Sequence, residues 1–146
     1  MTTVLTVNEL LDIVNQLKAQ FEAIDKTGDY NFNVPDGNII KGFETLDTAK
    51  SFPSIYIAYI EANHEQENQL EWYVAVNIEV FAYAKSSEDT LDEGLKLASD
   101  MTRAIYEDES LGGRVYELAL NFSVTAFEST AIVYLNLAMK YSYQQI

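Results

Sequence analysis

The segment from Glu71 to Tyr83 leaves little choice of local structure. Trp72, Val74, Val76, Ile78 and Val80 occupy every second position, with Tyr73, Ala75, Asn77, Glu79 and Phe81 between them. Side chains alternate across a strand with period two, so this pattern builds one wholly apolar face and one half-polar face. A chain carrying it must form a sheet with one face buried. Three further segments alternate. Pro53 opens a strand to about Ala62, where Ile55, Ile57 and Tyr59 alternate with Tyr56, Ala58 and Ile60, and both faces are apolar. That predicts a strand covered on two sides. From about Arg114 to Phe127, Tyr116, Leu118, Leu120, Phe122 and Val124 oppose Glu117, Ala119, Asn121, Ser123 and Thr125. In the last segment Val133, Leu135, Leu137, Met139 and Tyr141 face inward, and Asn136, Ala138, Lys140 and Ser142 outward. The polar run Asn63–Gln69 reads as the tip of one long hairpin, and Glu128-Ser129 as the turn of another.

Two stretches carry the helical period instead. Thr6 and Glu9 have capping-box spacing, and Leu10, Ile13, Val14, Leu17, Phe21 and Ile24 then recur at three and four, predicting a helix over about 7–25. Gly28 supplies a stop. Ser87 is placed to cap a second helix whose first turns hold Glu88, Asp89, Asp92 and Glu93, favoured there by the helix dipole. Leu91, Leu95, Ala98, Met101 and Ile105 read as its buried stripe, with Lys96 able to meet Asp92 and Asp100 at i±4. The Asn-, Asp- and Gly-rich residues 27–53, with the turn Pro35-Asp36-Gly37 and a short strand around Asn38–Gly42, form a candidate contact loop. The expected fold is α+β, a single domain over 1–146. It is a twisted, mostly antiparallel sheet of about four long strands with two main helices packed on one face.

Composition sets the class. With 146 residues, 48% of them apolar, the chain can bury about two-thirds of its unfolded surface, so disorder is excluded. There is no cysteine, which removes disulfides, thiolate metal sites and a cysteine nucleophile. No apolar run approaches the roughly 18 residues of a membrane span. Met1-Thr2-Thr3-Val4 has no basic signal-peptide start, so a soluble, cytoplasmic location is expected. The net charge is −14, and Lys18, Lys26, Lys41, Lys50, Lys85, Lys96, Arg103, Arg114 and Lys140 are scattered. No basic stripe exists for phosphate, which argues against nucleic-acid or anionic-lipid binding.

Reactive constellations are missing. His64 is the only histidine and sits in the polar tip, without a nucleophile-elbow sequence anywhere in the chain. One imidazole and no thiolate cannot build a zinc or iron site. Asp25, Thr27, Asp29, Asn31, Asn33 and Asp36 have the spacing of a calcium loop, but Tyr30 stands at the glycine position and the short Asp36 at the last. Leu111-Gly112-Gly113-Arg114 follows a helix, the reverse of a phosphate-binding loop, and reads as a helix stop. Neither cofactor nor metal is expected.

The heavy aromatic load is distinctive. Ten tyrosines, seven phenylalanines and one tryptophan are present, several on the half-polar strand faces: Tyr73, Phe81 and Tyr83 oppose Trp72, and Tyr134 opposes Leu135. Tyrosine tolerates half-wet burial, so we read this face as one that meets another subunit.

With these features assembled, the chain resembles the tail-terminator (tail-completion) proteins of long-tailed bacteriophages. The resemblance spans about residues 7 to 143 and rests on layout. It takes in the first helix with its acidic loop, Phe52-Pro53-Ser54-Ile55-Tyr56-Ile57, the Trp72–Val80 strand, the acidic-start helix, Leu111-Gly112-Gly113-Arg114-Val115 and the ending Lys140-Tyr141-Ser142-Tyr143. It implies a non-catalytic virion protein that forms a hexameric ring on the finished tail tube, stops its growth and offers a docking surface to the neck or connector. Genomic DNA would pass through the lumen without specific binding, and an acidic wall suits that passage. Glu65, Glu67 and Glu71, with Tyr73, Phe81 and Arg114, are the expected interface or lumen residues. Alternative readings are a neighbouring neck or head-completion protein, a tail-tube subunit, or a small acidic ligand-binding domain or enzyme.

Overall fold

A computed structural model of the chain describes residues 7–49, 51–66, 71–86 and 88–144. The elements run α1 (Val7–Glu22), β1 (Ile39–Lys41), β2 (Ser54–Gln66), β3 (Glu71–Lys85), α2 (Thr90–Tyr106), β4 (Glu117–Phe127) and β5 (Thr130–Gln144), with short 3₁₀ turns at Lys26–Gly28 and Asp36–Asn38. The fold is α+β. One five-stranded sheet has the order β1-β2-β3-β5-β4. The four long strands pair antiparallel, while the short fifth, β1, joins parallel to the start of β2.

The alternation of β3 decides how the sheet sits. Val74, Val76, Ile78, Val80 and Ala82 are buried, and their partners on β5 are Tyr141, Met139, Leu137, Leu135 and Val133. Both helices cover this face. From α1, Ile13, Leu17 and Phe21 are fully buried against it, joined by Ile24 just after the helix. The opposite face carries Tyr73, Ala75, Asn77, Glu79 and Phe81, all half-buried.

Two expected faces turn out otherwise. On β2 the register slips between Ile57 and Tyr59, so Ala58 is an extra residue in a bulge. Beyond it the faces exchange: Ile60 and Ala62 share the helix side with Ile55 and Ile57, whereas Tyr59 joins Tyr56 on the other side. On α2 the buried stripe is Gly94, Leu97, Ala98, Met101, Ala104 and Ile105, with Leu91 50% and Leu95 46% exposed. The cause is Gly94. A Cβ there would lie 2.8 Å from Ala131 Cβ and closer still to Val124 Cγ1, so the helix rests on β4 and β5 through its glycine. That rolls the two leucines off the core.

Asp100 also differs from expectation. It points inward, 3% exposed, and its carboxylate accepts from Asn31 N (3.0 Å), Asn31 Nδ2 (3.0 Å) and Phe32 N (2.9 Å). Lys96 pairs with Glu93 instead, at 3.4 Å. Buried Gln20 of α1 donates Nε2 to the carbonyls of Ala104 (3.0 Å), Ile105 (3.0 Å) and Asp108 (3.2 Å), satisfying the open end of α2. The expected caps Thr6 and Ser87 lie outside the described residues. Glu9 accepts from Tyr141 Oη at 2.7 Å, tying α1 to β5. The Leu111-Gly112-Gly113 turn has left-handed φ values of 48°, 79° and 81°, as a helix stop requires.

Two outcomes follow for urea unfolding. Gly94→Ala, which helix propensity alone favours by about 1 kcal/mol, destabilises the protein by about 1–3 kcal/mol because the methyl overpacks Val124 and Ala131. A stabilised Gly94→Ala protein would contradict the close approach. Asp100→Ala costs about 2–3 kcal/mol, since it strips two backbone N–H groups of a charged acceptor; a loss below about 0.5 kcal/mol would show that the 31–32 loop does not depend on it.

Candidate functional site

The helix-free face of the sheet gathers most of the polar and aromatic side chains singled out by the sequence. At its lower end an aromatic cluster crosses three strands. Phe81 lies 5.1 Å from Tyr134 and 5.1 Å from Phe43, whose ring is 6.4 Å from Tyr56; Tyr56 in turn is 5.5 Å from Tyr83. Phe43 belongs to the segment after β1, which folds back over this face, and Tyr83 Oη donates to Glu44 O at 2.8 Å. The start of β2 is therefore covered on two sides, as expected, by helices over Ile55 and by this loop over Tyr56. Farther along β2 the cover stops: Tyr59 is 49% exposed.

Toward the tip the face becomes polar. Tyr134 Oη donates to Glu79 Oε1 at 2.6 Å and accepts from Asn136 Nδ2 at 3.5 Å. The Tyr73 hydroxyl donates to Glu65, and Lys140 Nζ sits 4.8 Å from the Tyr73 ring centre while pairing with Glu117 at 3.2 Å. Glu65, Tyr73, Lys140 and Glu117 thus form one line of contacts across β2, β3, β5 and β4. Of the expected residues, Glu65, Tyr73 and Phe81 share this face. Arg114 does not: it lies beyond α2 and meets Asp12 of α1 at 3.6 Å. Glu67 lies outside the described residues, as does the side chain of Glu71.

Four of the six candidate calcium residues, Asp25, Thr27, Asn31 and Asn33, are engaged in holding the loop. Asp25 accepts from Thr27 N and Gly28 N, Asn33 Oδ1 accepts from Lys26 N, and Asn31 belongs to Asp100. Hydrogen bonds from the Thr27 hydroxyl and amide hold the Asp25 carboxyl below its usual range. Among the described residues no three His, Cys, Asp or Glu side chains are grouped to hold a metal. Among the described residues no helix is long and apolar enough to cross a membrane. A hollow of about 580 Å³ lies beside the 42–49 segment, bounded by Asn38, Ile40, Glu44, Asp47, Thr48 and Tyr56.

The sheet's two edges are the feature that strand alternation did not disclose. β4 is the last strand on one side, and its outer edge has no partner among the described residues. On that edge Phe122 is 49% exposed, and Leu91 and Leu95 of α2 are exposed as well. At the opposite edge β1 pairs only with Ile55–Ile57, and among the described residues no strand lies beside β2 past that point on its outer side. There an apolar groove of about 390 Å³ opens between α1 and β2, lined by Leu10, Leu11, Val14, Ala58 and Ile60 with Lys41 at its side. The exposure of Leu91 and Leu95 could have been suspected from the glycine between them, which makes a flat face.

No family model matches the sequence, and no curated protein matches it significantly.

The Tyr134–Glu79 contact yields a pH dependence with a definite sign. The hydrogen bond to Glu79 raises the Tyr134 pKa above its ordinary 10.0. Burial does the same to Tyr83, as does the Glu61 charge to Tyr59. A raised phenol pKa stabilises the fold fully below the unfolded value near 10 and loses that stability as pH rises through the folded value. Ultraviolet titration should show these tyrosines ionising late, and Glu79→Gln should bring Tyr134 down toward 10. An unchanged titration in Glu79→Gln would exclude the contact.

Proposed function

We propose that this chain is a structural virion protein that assembles as a closed homo-oligomeric ring, a hexamer, on the end of a phage tail tube. The ring ends tube growth and presents its other face to the neck or connector protein. Genomic DNA passes through its lumen without specific binding. The site of action is the virion tail near the neck, after assembly in the host cytoplasm, with no membrane involved and no catalysis.

One observation supports this reading above the others: among the described residues the sheet has helices on one face only, and no strand lies beyond β4 on one side or beyond the later part of β2 on the other. Exposed edges of this kind promote association, and proteins that remain single normally blunt them. The edges differ in sequence, so copies joined through them would meet head to tail, and a head-to-tail contact closes into a ring when its rotation divides a full turn. The helix-free face, rich in tyrosine and carboxylate, remains free to contact tube or connector. The net charge of −14 per copy repels phosphate from a lumen wall.

The test is electron microscopy and native mass of the purified protein, alone and with growing tail tubes. Single closed rings that sit on tube ends and arrest elongation are expected. Open-ended tubes of this chain alone would make it a tube subunit, and a single chain showing a specific small-molecule thermal shift would make it a ligand-binding domain. Neutralising Glu65, Glu67 and Glu71 together should impair stacking or DNA passage, and undiminished infectivity of such a phage would remove those three residues from the interface.

A further inference from the structure

We propose that the hollow beside the 42–49 segment binds a small organic ammonium ion, held by the Glu44 and Asp47 carboxylates with the buried Ser54 hydroxyl as a further acceptor. The site goes beyond the ring reading and does not depend on it.

Ser54 is the residue that points to a ligand. It is 1% exposed, and its Oγ is buried without a hydrogen-bond partner. An unpaired buried hydroxyl carries the full cost of leaving water, so folded chains seldom keep one at a place where nothing binds. Strand alternation sets its direction. Ile55 faces the helices, so Ser54 and Tyr56 face the other way, and Ser54 stands opposite Tyr83, whose hydroxyl reaches Glu44 O. On that side the 42–49 segment folds over the sheet, and Ser54 and Tyr56 both line the hollow.

The rest of the lining defines the ligand's charge. Glu44 precedes a tight turn at 46–48 and Asp47 lies within it; Thr48 N and Ala49 N close the turn on Thr45 O at 3.1 and 3.0 Å. Neither carboxylate has an ion-pair partner among the described residues. Glu44 Oε2 receives only a long bond from Tyr56 Oη, at 3.5 Å. Asn38 donates Nδ2 to Pro53 O at 3.0 Å, which leaves its Oδ1 an open acceptor. Acceptors therefore outnumber donors around the hollow, and two of them are charged. That inventory fits a positive ligand with several N–H groups, whereas an anion would meet two like charges. Ile40 and Tyr56 add apolar wall for a carbon skeleton. A volume of about 580 Å³ lies within the range of small-molecule sites and exceeds what a bare metal ion fills. The Asn- and Asp-rich stretch that reads as a contact loop in the sequence thus supplies Asn38, Glu44 and Asp47 to one site.

The probe is butane-1,4-diamine dihydrochloride, titrated into the full-length chain by calorimetry at constant ionic strength. Saturable binding is expected. Ser54→Ala and Glu44→Gln should each weaken it about tenfold, the scale of one hydrogen bond to a charged group. Glu88→Gln makes the same change of charge at an exposed position before α2, and should alter binding less than about twofold, because a distant exposed charge is screened. If Glu44→Gln does not melt cooperatively, Asp47→Asn replaces it. Since the Ser54 hydroxyl bonds nothing within the chain, Ser54→Ala should keep or raise the melting temperature; a lowered one would place that hydroxyl in the fold and overturn the site. Absence of saturable binding, undiminished binding by Ser54→Ala, or equal weakening by Glu88→Gln would overturn it as well. Calcium chloride binding more tightly than the diamine, and losing affinity in Glu44→Gln, would replace the ammonium site with a metal site. A chain that binds the diamine as expected yet never forms rings would uphold the site and contradict only the ring reading.

Discussion

The structure depends on a mismatch of coverage: five strands, four of them long, are served by two helices on one side. Burial of the Val74–Ala82 face against α1 and α2 supplies the core, because apolar area removed from water is the main favourable term in folding. The same arrangement leaves surface over. α2 approaches β4 and β5 as closely as Gly94 allows, which secures that side of the sheet. It also turns Leu91 and Leu95 outward and leaves Phe122 on β4 half uncovered. Surplus apolar surface at the edges is thus a consequence of how the core is closed.

Polar interactions in the interior serve positioning. Asp100 holds the 31–32 loop from α2, and Gln20 reaches from α1 to the last carbonyls of α2. Between them they fix the two helices and the first loop as one layer. On the far face, the contacts of Glu79 with Tyr134 and of Glu65 with Tyr73 order long side chains without burying them fully. A surface ordered in this way loses less side-chain freedom on meeting a partner.

Much of this was legible in the residues. The period of two in β3 and β5 was unambiguous because every inward position is aliphatic or aromatic, and the resulting α+β layer followed. The bulge in β2 was not legible, since Ala58, Tyr59 and Ile60 are all apolar and any register gives an apolar face. The roll of α2 was not legible, since Leu91 and Leu95 fall at core-forming helical spacing and only the close approach at Gly94 turns them outward. Asp100 read as a surface partner of Lys96 because i+4 spacing is visible in a sequence and a loop 69 residues away is not. Strand order was the largest gap. That β4 and β2 would end at opposite edges depends on β5 entering between β3 and β4, a long-range choice that alternation does not encode.

Amide hydrogen exchange across a concentration series tests the account most directly. In dilute protein the outward amides of residues 117–127 and 58–66 should exchange rapidly while those of β3 are protected, and at assembling concentrations both edge segments should become protected together. Assembly that leaves either edge exchanging as fast as before, or protection that moves instead to the helix-free face alone, would contradict it.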